Sequence, residues 1–252
     1  MLNTPILSEE QIETFERDGY LIVSQAFTPG EVKRIETWTQ ELVALPEESG
    51  KHWVYHEKSL KGDDADLISR IENIVPFHDG FEKLSTVLKG PVGQLLGEEA
   101  ALFKEKINFK MAGGDGFKPH QDSQAGWDSY ADFFISALVS IDEATVENGC
   151  LQLVNGHHKR GLFKSWEPLT EDDMADMEFV LCPTKPGDII FFDCYAPHAS
   201  EPNLTDQTRR LYYATYNRLS EGDHLAQYYA DKHKNYPPDI DREPGKDYVF
   251  RV

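Results

Sequence analysis

Short β-rich runs, separated by glycine, proline, aspartate and asparagine, dominate the chain from about residue 100 onward. Short strands at such close spacing bury their apolar faces by pairing into antiparallel sandwiches or barrels. We therefore expect a mainly β fold with helices (α+β) of the jelly-roll type. The predicted strands cover residues 101–111, 133–141, 150–154, 187–192 and 210–217.

The N-terminal part of the chain has helical periodicity instead. Ser8 and Gln11 fit a capping box, which predicts a helix ending near residue 19, and a short strand follows over residues 20–23. Thr28, followed by proline, indicates a second helix that reaches about residue 45. A third helix is expected from residue 77 to about residue 88, so that the helices form a layer on the β core.

Length and charge narrow the architecture and the partners. The chain has 252 residues, 40% of them hydrophobic, and no segment resembles a linker, so we predict a single domain over residues 1–252. A formal net charge of -19 repels nucleic acid and anionic membrane surfaces, which leaves a small molecule as the expected partner. These features predict no particular oligomeric state.

Cysteine usage and the N-terminal composition indicate the compartment. The 3 cysteines include no C-x-x-C pair, which argues against a disulfide framework and a structural zinc site. The N-terminus has no basic segment before an apolar run, and no apolar stretch approaches the roughly 18 residues of a membrane helix. The sequence therefore predicts a cytoplasmic protein.

A His-x-Asp motif and a distant histidine are the candidate metal ligands. Residues two apart in a strand face the same way, so His120 and Asp122 can offer a nitrogen and an oxygen to one ion. His198, beyond the predicted strand over 187–192, supplies a third ligand. Two histidines and one carboxylate leave open coordination positions and suit iron(II). The motif alone also arises by chance, and a lone histidine is more often packed or solvated.

Arg209 follows His198 by eleven residues and enters the last predicted strand. A guanidinium inside a barrel needs an anionic partner, because a buried unpaired charge is costly. A dicarboxylate co-substrate would satisfy it with a bidentate pair, and the hydroxyl of Ser200 can join the same carboxylate. The alternative is that Arg209 pairs with a surface carboxylate of this acidic chain.

Taken together, several motifs resemble those of the phytanoyl-CoA dioxygenase family. They are Phe117-Lys118-Pro119-His120-Gln121-Asp122, Glu147-Asn148-Gly149-Cys150-Leu151, Lys185-Pro186-Gly187-Asp188-Ile189-Ile190-Phe191-Phe192, His198-x-Ser200 and Arg209. The N-terminal Phe15-x-x-Asp18-Gly19-Tyr20-x-x-Val23 is also similar to that family, so the resemblance covers about residues 8–220. One stretch departs from the family pattern, because Asn155-Gly156-His157-His158 stands where members often carry Pro-Gly-Ser-His.

The resemblance implies a double-stranded β-helix, which is a jelly-roll or cupin-like barrel, and it implies iron(II), 2-oxoglutarate and O₂. The implied iron ligands and catalytic residues are His120, Asp122 and His198. The residues implied to bind 2-oxoglutarate are Arg209, Ser200, Lys106 and Asn108. For Lys106 and Asn108 the alternative is ordinary exposed strand polarity. The intact Asp122 favours hydroxylation, since related halogenases lack this carboxylate.

Candidate substrate contacts follow the metal motif and recur on the last predicted strand. Gln124, Trp127 and Tyr130 come shortly after Asp122, while Tyr213 and Asn217 share a strand face with Arg209. Plain packing is the alternative for each. Aromatic rings with a few polar groups suit a small polar molecule, including a cationic one. Residues 120–127 and 216–224 are similar to bacterial oxygenases that hydroxylate 2-aminoethylphosphonate-type compounds on the carbon next to phosphorus.

The sequence thus predicts an iron(II)- and 2-oxoglutarate-dependent dioxygenase, an enzyme that hydroxylates a small polar substrate. The leading candidate is the α-carbon of 2-aminoethylphosphonate or an N-methylated analogue. Another small metabolite, such as an amino acid derivative or an acyl thioester, is an alternative. A non-catalytic cupin-like binding protein is a second, and the complete ligand set speaks against it. A cupin-type metal enzyme without 2-oxoglutarate is a third, and Arg209 speaks against that.

Overall fold

The strands of the computed structural model form two antiparallel sheets, and the structure describes residues 2–3 and 5–248. In chain order the strands are β1 (Tyr20–Val23), β2 (Trp53–Lys58), β3 (Asp66–Glu72), β4 (Ala100–Lys110), β5 (Phe117–His120), β6 (Phe134–Ser140), β7 (Leu151–Val154), β8 (Phe179–Cys182), β9 (Ile189–Asp193), β10 (His198–Ser200) and β11 (Arg209–Arg218). The larger sheet has the order β1-β9-β6-β11-β4-β3-β2, and the smaller has the order β5-β10-β7-β8. The predicted mainly β architecture with helices is confirmed.

Four helices of the described chain accompany the sheets: α1 (Glu9–Asp18), α2 (Pro29–Val43), α3 (Asp79–Leu96) and α4 (Leu225–Asn235). Both predicted N-termini are confirmed, because Ser8 and Thr28 each form a capping box at the start of α1 and α2. The predicted end of α3 near residue 88 is wrong. The helix continues past Pro91 because Leu88, Val92 and Leu96 extend its buried face, and their burial offsets the backbone hydrogen bond that the proline removes.

Strand β11 lies in the middle of the larger sheet, and its alternating side chains separate the core from the cavity. Tyr212 and Tyr216 face the helices, where both hydroxyls bond to Ser85 of α3 at 2.6 and 2.7 Å. Tyr213 and Thr215 point to the opposite side and line a cavity. One face of β11 is therefore packed rigidly against the apolar layer under the helices, and its other face presents polar groups to the cavity.

Several elements that border the cavity were not predicted. These are the β2–β3 hairpin, the short strands β5 and β10, and helix α4, while strand β8, which was also not predicted, does not line the cavity. The hairpin is rich in charged residues and therefore has no clear alternation of apolar and polar positions. Residues 53–55 of β2 are nevertheless buried, because α4 and the segment after it cover that end of the hairpin.

Two further predictions concern the cysteines and the membrane. Cys150, Cys182 and Cys194 are free and buried, as expected for a chain without a disulfide framework. Among the helices within residues 5–248, none combines the length and apolar character needed to cross a bilayer.

Candidate metal centre and its cavity

His120 and His198 are direct neighbours across the smaller sheet. His120 ends β5 and His198 begins β10, and antiparallel pairing sets them opposite each other with ring centroids 4.2 Å apart. Asp122 is not on the strand, so the same-strand argument for it is wrong: it begins a 3-10 turn that covers Asp122–Ala125. The turn nevertheless returns the carboxylate to the histidines, and the three ligand atoms lie within 4.8 Å of one another.

Gly126 joins this turn to a second one, Trp127–Ser129. Its φ is +74°, and an added Cβ would lie 2.3 Å from the ring of Trp166. Only glycine meets both demands without strain. The tight connection brings Asp122 and Trp127 to the same cavity.

Backbone carbonyls orient both histidines. Nδ1 of His120 lies 2.7 Å from the carbonyl oxygen of Lys118, and Nδ1 of His198 lies 3.0 Å from that of Ala196. When Nδ1–H donates to these carbonyls, the lone pair of each Nε2 is free to bind a metal. The backbone therefore selects the tautomer that metal binding needs.

Electrostatics give the triad the protonation states of a metal site. Burial, and then the neighbouring His198, lowers the pKa of His120 to about 3, and burial also lowers the pKa of His198. Burial alone would raise the pKa of Asp122, but His198 and Lys104 lower it. Two neutral imidazoles and one carboxylate are the donor set that a divalent iron ion takes.

Ser136 on β6 positions the carboxylate of Asp122, the candidate metal ligand. Its hydroxyl lies 3.2 Å from Oδ2 of Asp122 and 2.8 Å from the hydroxyl of Thr215 on β11. Thr215 and Ser136 are direct partners in the register of the two strands. The larger sheet thus fixes a carboxylate that belongs to the turn after β5 of the smaller sheet.

We expect Ser136→Ala to lower metal affinity and turnover by about 10- to 100-fold, because groups that orient metal ligands have effects of that size. Iron titration monitored by the protein's thermal stability measures the first effect without a turnover assay. Ser140→Ala is the matched control, since Ser140 lies on the same strand and bonds to Thr184 at 2.6 Å instead. Equal iron affinity in the two variants would contradict the role of Ser136.

A cavity of about 720 Å³ opens onto the triad and has a cationic inner wall. The basic residues of this wall are Arg70, Lys104, Lys106 and Lys232, and burial lowers the pKa of the three lysines, to about 7 for Lys232. Glu72 compensates two of them, since it forms an ion pair of 2.8 Å with Arg70 and also contacts the ammonium of Lys232. This concentration of basic residues contrasts with the net charge of -19 of the whole chain.

The outer part of the same cavity carries the opposite charge. We call Asp128, Asp231 and Asp247 the acidic rim. Asp128 and Asp247 are exposed, while Asp231 accepts hydrogen bonds from Tyr130 and Gln227. Charge therefore changes sign from the rim to the inner wall.

Arg209 and Lys110 form a second cationic site, the inner cationic site, which does not itself line the cavity but adjoins the lining residues Tyr213 and Ser200. Arg209 is 2% exposed and lies beside Tyr213, and its Nε and Nη1 have no hydrogen-bond partner within residues 5–248. Lys110 is the register partner of Arg209 and donates a 2.8 Å hydrogen bond to Ser200. Burial, and then Arg209, lowers the pKa of Lys110 to about 7. The free N–H groups of Arg209, together with the nearby ammonium of Lys110, fit a carboxylate group such as one of those of 2-oxoglutarate.

The structure brings most of the other predicted site residues to the cavity wall. These residues are Lys106, Asn108, Ser200, Trp127, Tyr130 and Tyr213. Gln124 and Asn217 lie outside it, so their predicted contact with substrate finds no support. The amide of Gln124 bonds to the backbone of Gln121 and Glu167, and that of Asn217 donates to the carbonyls of Arg218 and Gly222. Both amides are used to hold loops.

Sequence reasoning missed several cavity residues. They are Arg70, Glu72, Lys104, Lys232 and Ser136. Lys104 could have been found, because it precedes Lys106 by two positions and therefore shares its strand face. The others come from the hairpin, from α4 and from a fully buried strand, where no local pattern marks a polar residue as functional.

The fold and the site together define a class. A double-stranded β-helix whose His-Asp-His triad faces a cavity is the framework of a mononuclear metal-dependent oxygenase. The family model described as phytanoyl-CoA dioxygenase matches residues 15–211. The chain belongs to this family and is a dioxygenase.

Curated relatives are similar over nearly the whole chain. The 2-aminoethylphosphonate dioxygenase of uncultured bacterium HF130_AEPn_1 is 36% identical over 246 residues, which cover 96% of this chain and 93% of that protein. The methylphosphonate hydroxylase of Gimesia maris is 37% identical over 239 residues, which cover 91% and 88%.

Among solved structures, EctD from S. alaskensis with bound Fe has a TM-score of 0.71 and 25% identity, over 85% of this chain and 78% of that one. The same protein with 2-oxoglutarate and 5-hydroxyectoine has a TM-score of 0.73 and 23% identity, over 97% and 86%. The predicted family, double-stranded β-helix and enzyme class are therefore confirmed.

Proposed function

We propose that the chain is an iron(II)- and 2-oxoglutarate-dependent dioxygenase that hydroxylates the carbon bonded to phosphorus in a small phosphonate. The candidate substrate is 2-aminoethylphosphonate or an N-methylated analogue. One observation carries the proposal: the cavity that opens onto the triad has a cationic inner wall in a strongly acidic chain. The names of the two curated relatives point to the same class of substrate.

His120, Asp122 and His198 would hold the iron. Iron(II) with 2-oxoglutarate and O₂ supplies the oxidising power to hydroxylate an unactivated C–H bond. The protein holds both imidazole rings through backbone carbonyls and holds the carboxylate through Ser136. These contacts keep the open side of the triad turned to the cavity, where the substrate C–H must lie.

The inner cationic site would bind the co-substrate. The unused N–H groups of Arg209 offer a bidentate pair to a carboxylate, and the ammonium of Lys110 adds charge beside Ser200. Lys106 and Asn108 line the cavity on the same strand as Lys110. We assign them to the same ligand, whose second carboxylate must reach the metal.

Charge separation along the cavity favours an amino-substituted phosphonate over methylphosphonate. The anionic head of such a molecule suits the inner wall, and its ammonium suits the acidic rim and the rings of Tyr130 and Tyr228. A volume of about 720 Å³ is in the range of a drug-sized ligand. That volume suits 2-oxoglutarate together with a small substrate.

The test is aerobic turnover with iron(II), 2-oxoglutarate and one candidate at a time: 2-aminoethylphosphonate, its N-trimethyl form, methylphosphonate, an amino acid derivative or an acyl thioester. We expect succinate and an α-hydroxyphosphonate in equal amounts, the latter detected by ³¹P NMR. Omission of substrate measures uncoupled succinate formation. Turnover of a non-phosphonate alone would overturn the substrate class, and no succinate with any compound would favour a non-catalytic binding protein.

A further inference from the structure

Strand β4 presents a row of polar side chains along the cavity. Lys104, Lys106 and Asn108 line it, and Lys110, the next residue of the same face, reaches Ser200. Six residues of strand separate Lys104 from Lys110, which corresponds to about 20 Å. The two ends of this row therefore carry ammonium groups that are well separated.

The carboxylates of Asp122 and Glu72 attract the ammonium of Lys104 but lie beyond ion-pair distance. Within residues 5–248 this ammonium forms neither a hydrogen bond nor an ion pair, and its contacts are with rings. Nζ lies 4.0 Å from the ring centroid of Trp127 and 5.8 Å from that of Tyr228. Rings stabilise a cation and fix its position without neutralising it, so the charge stays available to a ligand.

The other cations of the wall are less suited to a substrate anion. Arg70 and Lys232 are compensated by Glu72. Lys106 lies toward the inner site, because its Nζ is 5.3 Å from the ring of Tyr213 and 5.8 Å from that of Phe117, a ring that Lys110 also approaches. Lys104 is thus the lysine of this wall that forms no ion pair and lies away from the inner cationic site.

Strand register ties Lys104 to the metal site. Lys104, Thr215 and Ser136 form one row across β4, β11 and β6. Ser136 is the residue whose hydroxyl contacts Asp122. The register therefore places Lys104 on the row that ends at the metal carboxylate, which suits a substrate whose reacting carbon must lie close to the metal.

We propose that Lys104, positioned by the ring of Trp127, binds the phosphonate group of the substrate. The inference rests on the proposed function and deepens it. It divides β4 between two anions: Lys104 binds the substrate, while Lys110 with Arg209 binds the co-substrate. Separate lysines on β4 would thus allow the cavity to bind two small anions at once, each at its own position.

The test measures equilibrium binding by calorimetry to the enzyme loaded with iron(II) and 2-oxoglutarate without O₂. The ligands are 2-aminoethylphosphonate, methylphosphonate and the monomethyl ester of methylphosphonate. Binding is measured at a pH above the second pKa of methylphosphonate, where the ester carries one negative charge less than methylphosphonate. We expect Lys104→Met to raise the Kd of both phosphonates at least tenfold, since a charge-assisted hydrogen bond is lost. It should also remove the preference of the wild type for the phosphonate over its ester, and Lys104→Arg should restore part of it.

Two controls distinguish this role from general damage. Lys89→Met removes an equal charge from an exposed position on α3 and should bind all ligands like the wild type. The Kd of 2-oxoglutarate should change by less than about threefold in Lys104→Met. If the wild type binds phosphonates and Lys104→Met binds them equally well, the assignment of Lys104 is wrong and the proposed function stands. Weaker binding of 2-oxoglutarate to Lys104→Met would also overturn the assignment of Lys104. A wild type that binds no phosphonate would instead refute the proposed function.

Discussion

Replacing His120, Asp122 or His198 by alanine will lower substrate-coupled succinate formation by more than about 100-fold, with iron restored to the assay. Loss of a group that only orients a metal ligand costs about 10- to 100-fold, so loss of a ligand itself must cost more. Each variant keeps the other two donors, which sit on different elements, and two donors leave the cation weakly held. Iron content by elemental analysis and succinate by chromatography give the two readouts.

The control for this experiment is His157→Ala. His157 belongs to a 3-10 turn, His157–Arg160, and its Nδ1 lies 3.1 Å from the backbone carbonyl of Asn155. Its loss should leave both iron content and turnover within about twofold of the wild type, the usual range for a residue outside such features. Wild-type turnover in any of the three triad variants would contradict the triad.

Arg209→Met is expected to raise the KM for 2-oxoglutarate at least about 30-fold. Removing one partner of a buried charge pair costs about 2–5 kcal/mol, and each 1.4 kcal/mol is a factor of ten. The substitution has a second, opposite consequence for the protein without ligand. Since Nε and Nη1 of Arg209 are buried without a hydrogen-bond partner in the described chain, their removal should leave the Tm unchanged or raise it.

Thermal unfolding with and without 2-oxoglutarate measures both effects. The wild type should gain stability as the ligand concentration rises above its Kd, whereas Arg209→Met should gain almost none in the same range. Arg210→Gln is the matched control, because the adjacent guanidinium bonds instead to Asp142 at 2.7 Å. If Arg209→Met kept the stabilisation by 2-oxoglutarate, the co-substrate site would have to lie elsewhere.

The metal ligands could be predicted from the sequence because their chemistry is local. His-x-Asp and a histidine next to a later strand are visible as residue types at short spacing. The argument for Asp122 was nevertheless wrong, because a 3-10 turn and not a strand face carries it. Short motifs tolerate such errors, since two kinds of local backbone can bring the same side chains together.

The substrate wall was harder to predict because it is assembled from distant segments. Arg70 and Glu72 come from a hairpin without clear alternation, and Lys232 comes from α4, a helix that went unrecognised. Gln124 was chosen for its closeness to Asp122, but its amide is used by neighbouring backbone groups. Proximity in the sequence does not show whether a polar side chain is already hydrogen-bonded within the protein.

The acidic rim also bears on how fast ligands arrive. Together with the net charge of -19, its carboxylates create a negative potential at the mouth, and incoming dianions must cross it before they meet the lysines inside. Salt screens such a barrier over about 10 Å at 0.1 M, so association should quicken as ionic strength rises, the reverse of the trend for an electrostatically steered ligand. A zwitterion is delayed less than methylphosphonate. Selection between the two thus begins in the on-rate, while the inner wall governs the residence time.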